Sequence, residues 1–202
     1  MVGSVTTLRP AIDRGVGAGV RDRSPNRESA VQSSPRSNIV LIGMPGAGKS
    51  TAGVILAKHT SRAFVDTDVL IQTSERRSLQ KILDENGHIA LREIEERILL
   101  SLDLSDHVIA TGGSAAYSGK AMMHLKKNGI VVFLQVPFAE ILERVRDFDT
   151  RGIARAPEQS FADLFEERYL LYKKYADLTI ACEGLDQEQV SQTICRRLGP
   201  DA

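Results

Sequence analysis

The chain has 202 residues, 42% apolar and 26% charged, with 16 glycines and 7 prolines, a composition that excludes collagen-like and low-complexity sequences. Basic and acidic side chains number 26 each, and zero net charge gives no case for a nucleic-acid partner. No apolar run nears the roughly 20 residues of a bilayer span, and Cys182 and Cys195 have neither metal-ligand spacing nor a disulfide framework, so a cytoplasmic protein without membrane contact is expected.

Residues 1–37 differ from the rest. They carry Arg9, Arg14, Arg21, Arg23, Arg27 and Arg36, the cluster Gly15-Val16-Gly17-Ala18-Gly19, and no aromatic side chain. Such a stretch buries too little apolar surface to offset its ordering entropy, and it lacks the apolar core of a secretory signal. A disordered extension is expected over 1–37 and a single folded domain over 38–202.

Within that domain short apolar runs alternate with helical stretches. Ile39-Val40-Leu41-Ile42 is uniformly apolar, as a parallel strand buried on both faces requires. A helix from Lys49 to Thr60 follows, then a second strand, Ala63-Phe64-Val65, ending at Asp66. Residues 69–101 have helical spacing broken near Asn86-Gly87. Strands at His107–Ala110, Ile130–Leu134 and Leu178–Ala181 alternate with helices near 117–128, 138–146, 160–175 and 186–198. This order predicts an α/β fold of three layers, a five-stranded parallel sheet with helices on both faces. Ligands of such sheets bind beyond the carboxyl ends of the strands.

Gly43-Met44-Pro45-Gly46-Ala47-Gly48-Lys49-Ser50 matches the phosphate-binding pattern G-x-x-x-x-G-K-[ST] in full. Glycines let the backbone curl so that N–H groups face phosphate oxygens, and the helix that opens at Lys49 adds a favourable dipole. An apolar strand before and a helix after supply the context the motif needs. Lys49 is expected on the β and γ phosphates of ATP, and Ser50 on Mg²⁺. The guanine signature N-K-x-D is absent, and a small single domain favours a kinase of small molecules.

After the second strand stands Asp66-Thr67-Asp68. One carboxylate can support the metal shell while the other meets an acceptor hydroxyl. Asp68 as a cap for the following helix is the competing explanation.

At this point the sequence resembles the shikimate kinase family of P-loop kinases, over nearly the whole body from Ile39. The resemblance rests on G-M-P-G-A-G-K-S-T at 43–51, D-T-D at 66–68, L-R-E-I-E-E at 91–96, T-G-G at 111–113 and E-R-Y-L-L-Y-K-K-Y-A at 167–176. It implies ATP and Mg²⁺ as cofactors, with Gly43, Gly46, Ala47, Gly48, Lys49, Ser50 and Thr51 around the nucleotide and Ser50 and Asp66 on the metal. Asp68 would bind the acceptor hydroxyl, Arg92 and Arg168 its carboxylate, and Gly112 and Gly113 would contact it through the backbone, with Glu95 nearby. Paired arginines suit a planar carboxylate, because each guanidinium offers a bidentate fork. Surface ion pairs with neighbouring glutamates would explain Arg92 and Arg168 without a ligand, and Gly112-Gly113 would serve equally as a plain turn.

The polar stretch 147–159 is expected to form a mobile lid, with Arg151, or Arg155, neutralising the transferring phosphoryl group. Arg144 matches the family position that stacks on adenine. Three departures fall on the acceptor side: Ser114 replaces a third glycine, Leu83 and Leu91 stand where Phe is common, and the lid reads Arg151-Gly152-Ile153. The implied activity is phosphorylation of shikimate by a monomeric enzyme. A paralogous kinase for another small hydroxylated acid or amino acid is the alternative, and a non-catalytic nucleotide sensor a third.

Overall fold

The computed structural model describes residues 36–145, 152–156 and 158–199. Five strands, β1 (Asn38–Ile42), β2 (Ala63–Asp66), β3 (His107–Ala110), β4 (Gly129–Gln135) and β5 (Leu178–Ala181), form one parallel sheet in the order β2-β3-β1-β4-β5. Among the described residues, seven α-helices connect and cover them: α1 (Lys49–His59), α2 (Thr67–Glu75), α3 (Leu79–Leu100), α4 (Gly119–Asn128), α5 (Phe138–Arg144), α6 (Phe161–Tyr175) and α7 (Gln187–Leu198). Helices α1 and α7 pack together on one face, while α4 and α6 contact β4 from the other.

The apolar run of β1 follows from its place. It pairs with β3 on one edge and β4 on the other, and every residue from Asn38 to Ile42 is buried. A strand with neighbours on both edges and helices on both faces has no solvent side to make polar. β2, at the sheet edge, is short and only partly buried.

The stretch 69–101 resolves into two helices. Arg76 takes a left-handed conformation (φ 53°) at the end of α2, and Ser78 starts α3 by accepting a hydrogen bond from the Lys81 backbone at 3.2 Å. The break at Asn86-Gly87 is also present: Gly87 has φ 80° and ψ 173°, and kinks α3 without ending it. The helix predicted from 117 starts at Gly119, because Ala115–Tyr117 form a tight 3-10 turn and Ser118 caps α4.

Register lines up the carboxyl ends of three strands. Leu41 of β1 and Asp66 of β2 both stand opposite Ala110 of β3. The phosphate-loop sequence after β1, the Asp66-Thr67-Asp68 segment after β2 and the glycine pair after β3 therefore leave the sheet at one level. A smaller apolar cluster of Ile71, Ile82, Leu91 and Ala154 joins α2, α3 and the segment 152–156 beside them.

The folded body starts slightly earlier than the sequence predicts. Arg36 pairs with Asp177 at 3.1 Å, and the Ser37 carbonyl accepts from Arg62 at 2.8 Å. The rest of the expected extension, 1–35, lies outside the described residues. No helix among the described residues is long and apolar enough to cross a membrane.

Candidate active site

The loop after β1 curls as its sequence requires. Gly46 and Gly48 have φ of 81° and 87°, which side chains with a Cβ rarely adopt, and Gly48 opens α1. Gly43 meets a different demand: a Cβ there would lie 2.9 Å from the carbonyl oxygen of Leu134 in β4. Gly43 thus lets the loop lie against the sheet. Ala47 is buried, and its backbone donates to the Met44 carbonyl at 3.0 Å.

Lys49 is buried under the loop, its Nζ donating to the carbonyls of Gly43 (2.8 Å) and Met44 (3.0 Å). Burial pulls its pKa down to about 8, against the stabilising charge of Asp68. Ser50 donates its hydroxyl to Asp66 Oδ2 at 2.5 Å, and Asp66 Oδ1 accepts from the Asp68 backbone at 2.9 Å. Asp66, not Asp68, is therefore the cap of α2. Asp68 is free of that task and sits in the first turn, facing the cavity. Burial raises its pKa, Lys49 opposes the rise, and Asp66 adds to it.

The cavity holds about 420 Å³ and lies over the carboxyl ends of the central strands. Gly46, Gly48, Lys49, Ser50, Thr51 and Arg144 line one side of it, that of the loop after β1. Asp68, Glu95, Gly112, Gly113, Ser114 and Arg168 line the other. Gly43 and Ala47 belong to the loop, Asp66 accepts from its Ser50, and Arg92 lies in an adjoining hollow that shares Glu95 and Ser114 with the cavity wall.

The glycine pair is where this second side is tightest. A Cβ on Gly112 would meet Glu95 Oε1 and Asp68 Oδ1, and one on Gly113 would meet Arg168 Nη1 at 2.7 Å and the Pro45 ring at 2.8 Å. The Gly112 N–H donates to Thr67 Oγ1 at 3.1 Å. The turn is a crowded junction in which a side chain would have to displace Glu95, Asp68, Arg168 or the Pro45 ring, a stronger requirement than a plain turn imposes.

Glu95 is buried and accepts a short hydrogen bond from the Ser114 hydroxyl at Oε2, while its Oε1 makes no hydrogen bond among the described residues. Burial first, and then the nearby Asp68 carboxylate, push its pKa up to about 7; Ser114 opposes this. Ser114 at the third-glycine position thus holds one oxygen of an acid in the pocket wall.

Arg168 is 1% exposed and donates Nη2 to the Ala154 carbonyl at 2.7 Å. Arg92 donates Nη2 to the same oxygen at 3.3 Å and stacks on Tyr117, its Cζ 3.5 Å from the ring centroid. Neither arginine forms an ion pair with its glutamate neighbours among the described residues, so surface pairing does not account for them. Leu91 lines the cavity, whereas Leu83 packs at the edge of the smaller apolar cluster. Arg155 donates to the Gln159 carbonyl at 2.8 Å, and Arg151 lies outside the described residues.

Three residues here escape sequence reasoning. Thr67, fully buried, anchors the glycine turn; Tyr172 donates its hydroxyl to the Gly113 carbonyl at 2.6 Å; and Tyr117 carries Arg92. Only Tyr172 had a signal, one helical turn after Arg168 on the same face.

Comparison with known proteins agrees with this architecture. The family model described as shikimate kinase matches residues 45–199. A shikimate kinase of Persephonella marina is 33% identical over 162 residues, 80% of this chain and 98% of that protein. One of Thermosynechococcus vestitus is 35% identical over 165 residues, 80% of this chain and 87% of its own length. Among solved structures, the shikimate kinase from Acinetobacter baumannii in complex with shikimate superposes with a TM-score of 0.74 at 32% identity, covering 80% of this chain and 92% of that one. Matches of that length in both sequence and structure leave one assignment: the chain belongs to the shikimate kinase family.

Proposed function

We propose that the protein transfers the γ-phosphoryl group of ATP to a hydroxyl of shikimate, giving shikimate 3-phosphate. The observation that carries this is the convergence of Lys49, Ser50, Asp68 and Arg168 on one cavity at the level where three strands end. Phosphoryl transfer asks little covalent chemistry of a protein, so positioning and charge neutralisation are the work to be done.

Lys49 and the backbone N–H groups of Gly46 and Gly48 hold the phosphates. Ser50 and Asp66 present a hydroxyl and a carboxylate within 2.5 Å of each other, the hard oxygen donors Mg²⁺ prefers. When bound, Mg²⁺ would neutralise charge on the phosphates. Asp68 orients the acceptor hydroxyl and accepts its proton, a role its raised pKa favours. Arg168 and Arg92 hold the acceptor carboxylate, and Gly112 and Gly113 bring the backbone close to it. Arg144, beside Gly46, flanks the adenine.

This account takes the protein as a cytoplasmic monomer acting on a small molecule, with neither nucleic acid nor membrane as partner, and places catalysis in the folded body from Arg36 onward. One observation favours a second acceptor: Ser114 ties down Glu95 where the ring would approach, which suits another small hydroxylated acid. ATP consumption and mass-spectrometric product analysis across shikimate and a panel of hydroxy acids decide between them. Phosphorylation of another acid with none of shikimate would discard the shikimate assignment and keep the kinase.

A further inference from the structure

Tyr117 takes no part in the chemistry above, yet it stands at the centre of the arginine pair. It ends the 3-10 turn Ala115–Tyr117 that follows the glycine junction, and its ring contacts both guanidinium groups. Arg92 Cζ lies 3.5 Å from the ring centroid and Arg168 Cζ 5.6 Å. Arg92 has no carboxylate partner among the described residues; apart from its bond to Ala154, the face of Tyr117 is what holds it. The Nε atoms of both arginines and the Tyr117 hydroxyl are buried without hydrogen bonds among the described residues.

The geometry has a chemical consequence. At 3.5 Å the guanidinium sits on the negative face of the ring, which fixes its plane and leaves its N–H edge without a carboxylate partner among the described residues. A carboxylate binds a guanidinium at that edge, in plane, through two parallel hydrogen bonds. An ion pair with a glutamate would occupy the same edge. An aromatic face positions the arginine and leaves the edge usable.

We propose that Tyr117 is a positioning residue for the acceptor carboxylate, acting through Arg92 by setting the plane and direction of its fork. This rests on Arg92 binding that carboxylate. The ring, not the hydroxyl, is the active part.

Steady-state kinetics on the full chain with ATP and shikimate test this, with melting temperature as the check on folding. Tyr117→Leu should raise the shikimate KM roughly ten-fold, the scale of a desolvated cation–π contact, with kcat and the ATP KM within about two-fold. Tyr117→Phe should keep the shikimate KM within about two-fold, because it keeps the ring face. Tyr117→Met, unbranched and without a π face, should behave as the leucine variant and replaces it if that variant does not fold. In the double variant Arg92→Ala with Tyr117→Leu, the penalty should be no larger than that of Arg92→Ala alone.

Additive penalties, a phenylalanine variant as impaired as the leucine one, or a loss confined to kcat would each overturn the proposal. The underlying clamp fails in a different way. If Arg92→Ala leaves the shikimate KM unchanged, the clamp is wrong and Tyr117 loses its role with it. If Arg92→Ala raises the KM and Tyr117→Leu does not, only the role of Tyr117 falls.

Discussion

Arg92 and Arg168 donate to a single acceptor, the carbonyl oxygen of Ala154, at 3.3 and 2.7 Å. Two like charges meeting on one oxygen are costly unless more negative charge can join them, and a carboxylate offers two oxygens to two forks. Their burial differs: Arg168 is enclosed, whereas Arg92 is only partly covered. Replacing Arg168 would mix lost binding with a packing defect, so Arg92 is the cleaner probe.

Arg92→Ala should therefore raise the acceptor KM by the equivalent of about 2–4 kcal/mol, leaving the ATP KM nearly unchanged. Arg92→Lys should recover only part of the loss, because an ammonium cannot reproduce a planar fork. Initial rates with each substrate varied in turn measure both. An unchanged acceptor KM in Arg92→Ala would remove this arginine from the site.

Lys49→Met tests the nucleotide side. Its Nζ holds the Gly43 and Met44 carbonyls, and methionine fills similar volume without charge or donors. Turnover should fall about 10³-fold or more, as when a preorganised charge is removed from a transition state. Near-normal kcat in a folded variant would contradict the role of Lys49. In the unaltered protein, with the Lys49 pKa near 8 because of burial, kcat/KM for ATP should decline as pH rises through that value.

The nucleotide half of this site is legible in sequence because it is local. Strand, loop and helix lie within residues 38–59, and backbone geometry alone dictates Gly46 and Gly48. The acceptor half is assembled from α2, α3, the glycine turn and α6, so its logic is tertiary. Nothing near Tyr117 in the chain announces that its ring faces Arg92, and nothing near Ser114 announces Glu95. The break between α2 and α3 has no sequence signal for a related reason: Arg76 carries the left-handed turn, and no glycine marks it. That Asp66 and not Asp68 caps α2 is likewise tertiary information, since the sequence leaves open which aspartate the helix starts after.

The start of the folded body is measurable. Deleting residues 1–35 should leave kcat and melting temperature unchanged. Carrying the deletion through Ser37 removes the Arg36–Asp177 pair, the acceptor for Arg62 and the hydroxyl that accepts from the Asp106 backbone at 3.0 Å. That loss should be about 1–3 kcal/mol, or several degrees in melting temperature. Equal stability of the two truncations would mean these contacts contribute nothing. A lower melting temperature on the shorter deletion would put the boundary upstream of Arg36.

Glu95 gives the most direct pH test. Its pKa rises from 4.5 to about 7 because burial penalises the carboxylate and Asp68 repels it. The folded protein therefore holds a proton on Glu95 that the unfolded chain releases near the ordinary carboxylate pKa. Between about 4.5 and about 7 the native state binds more protons, so the Glu95 contribution to stability declines as pH rises through that window. The full swing is at most about 3 kcal/mol. Glu95→Gln keeps the shape and an acceptor for Ser114 but does not titrate. Urea unfolding of both proteins from pH 4 to pH 8 isolates the effect, since other carboxylates largely cancel in the difference. The stability of wild type minus that of Glu95→Gln should fall across the window and level off above it. Ser114→Ala should move the fall to higher pH, because the Ser114 hydroxyl favours the charged form. A flat difference curve would mean that Glu95 titrates as an ordinary surface acid, and that Ser114 and Asp68 do not hold it in the pocket wall.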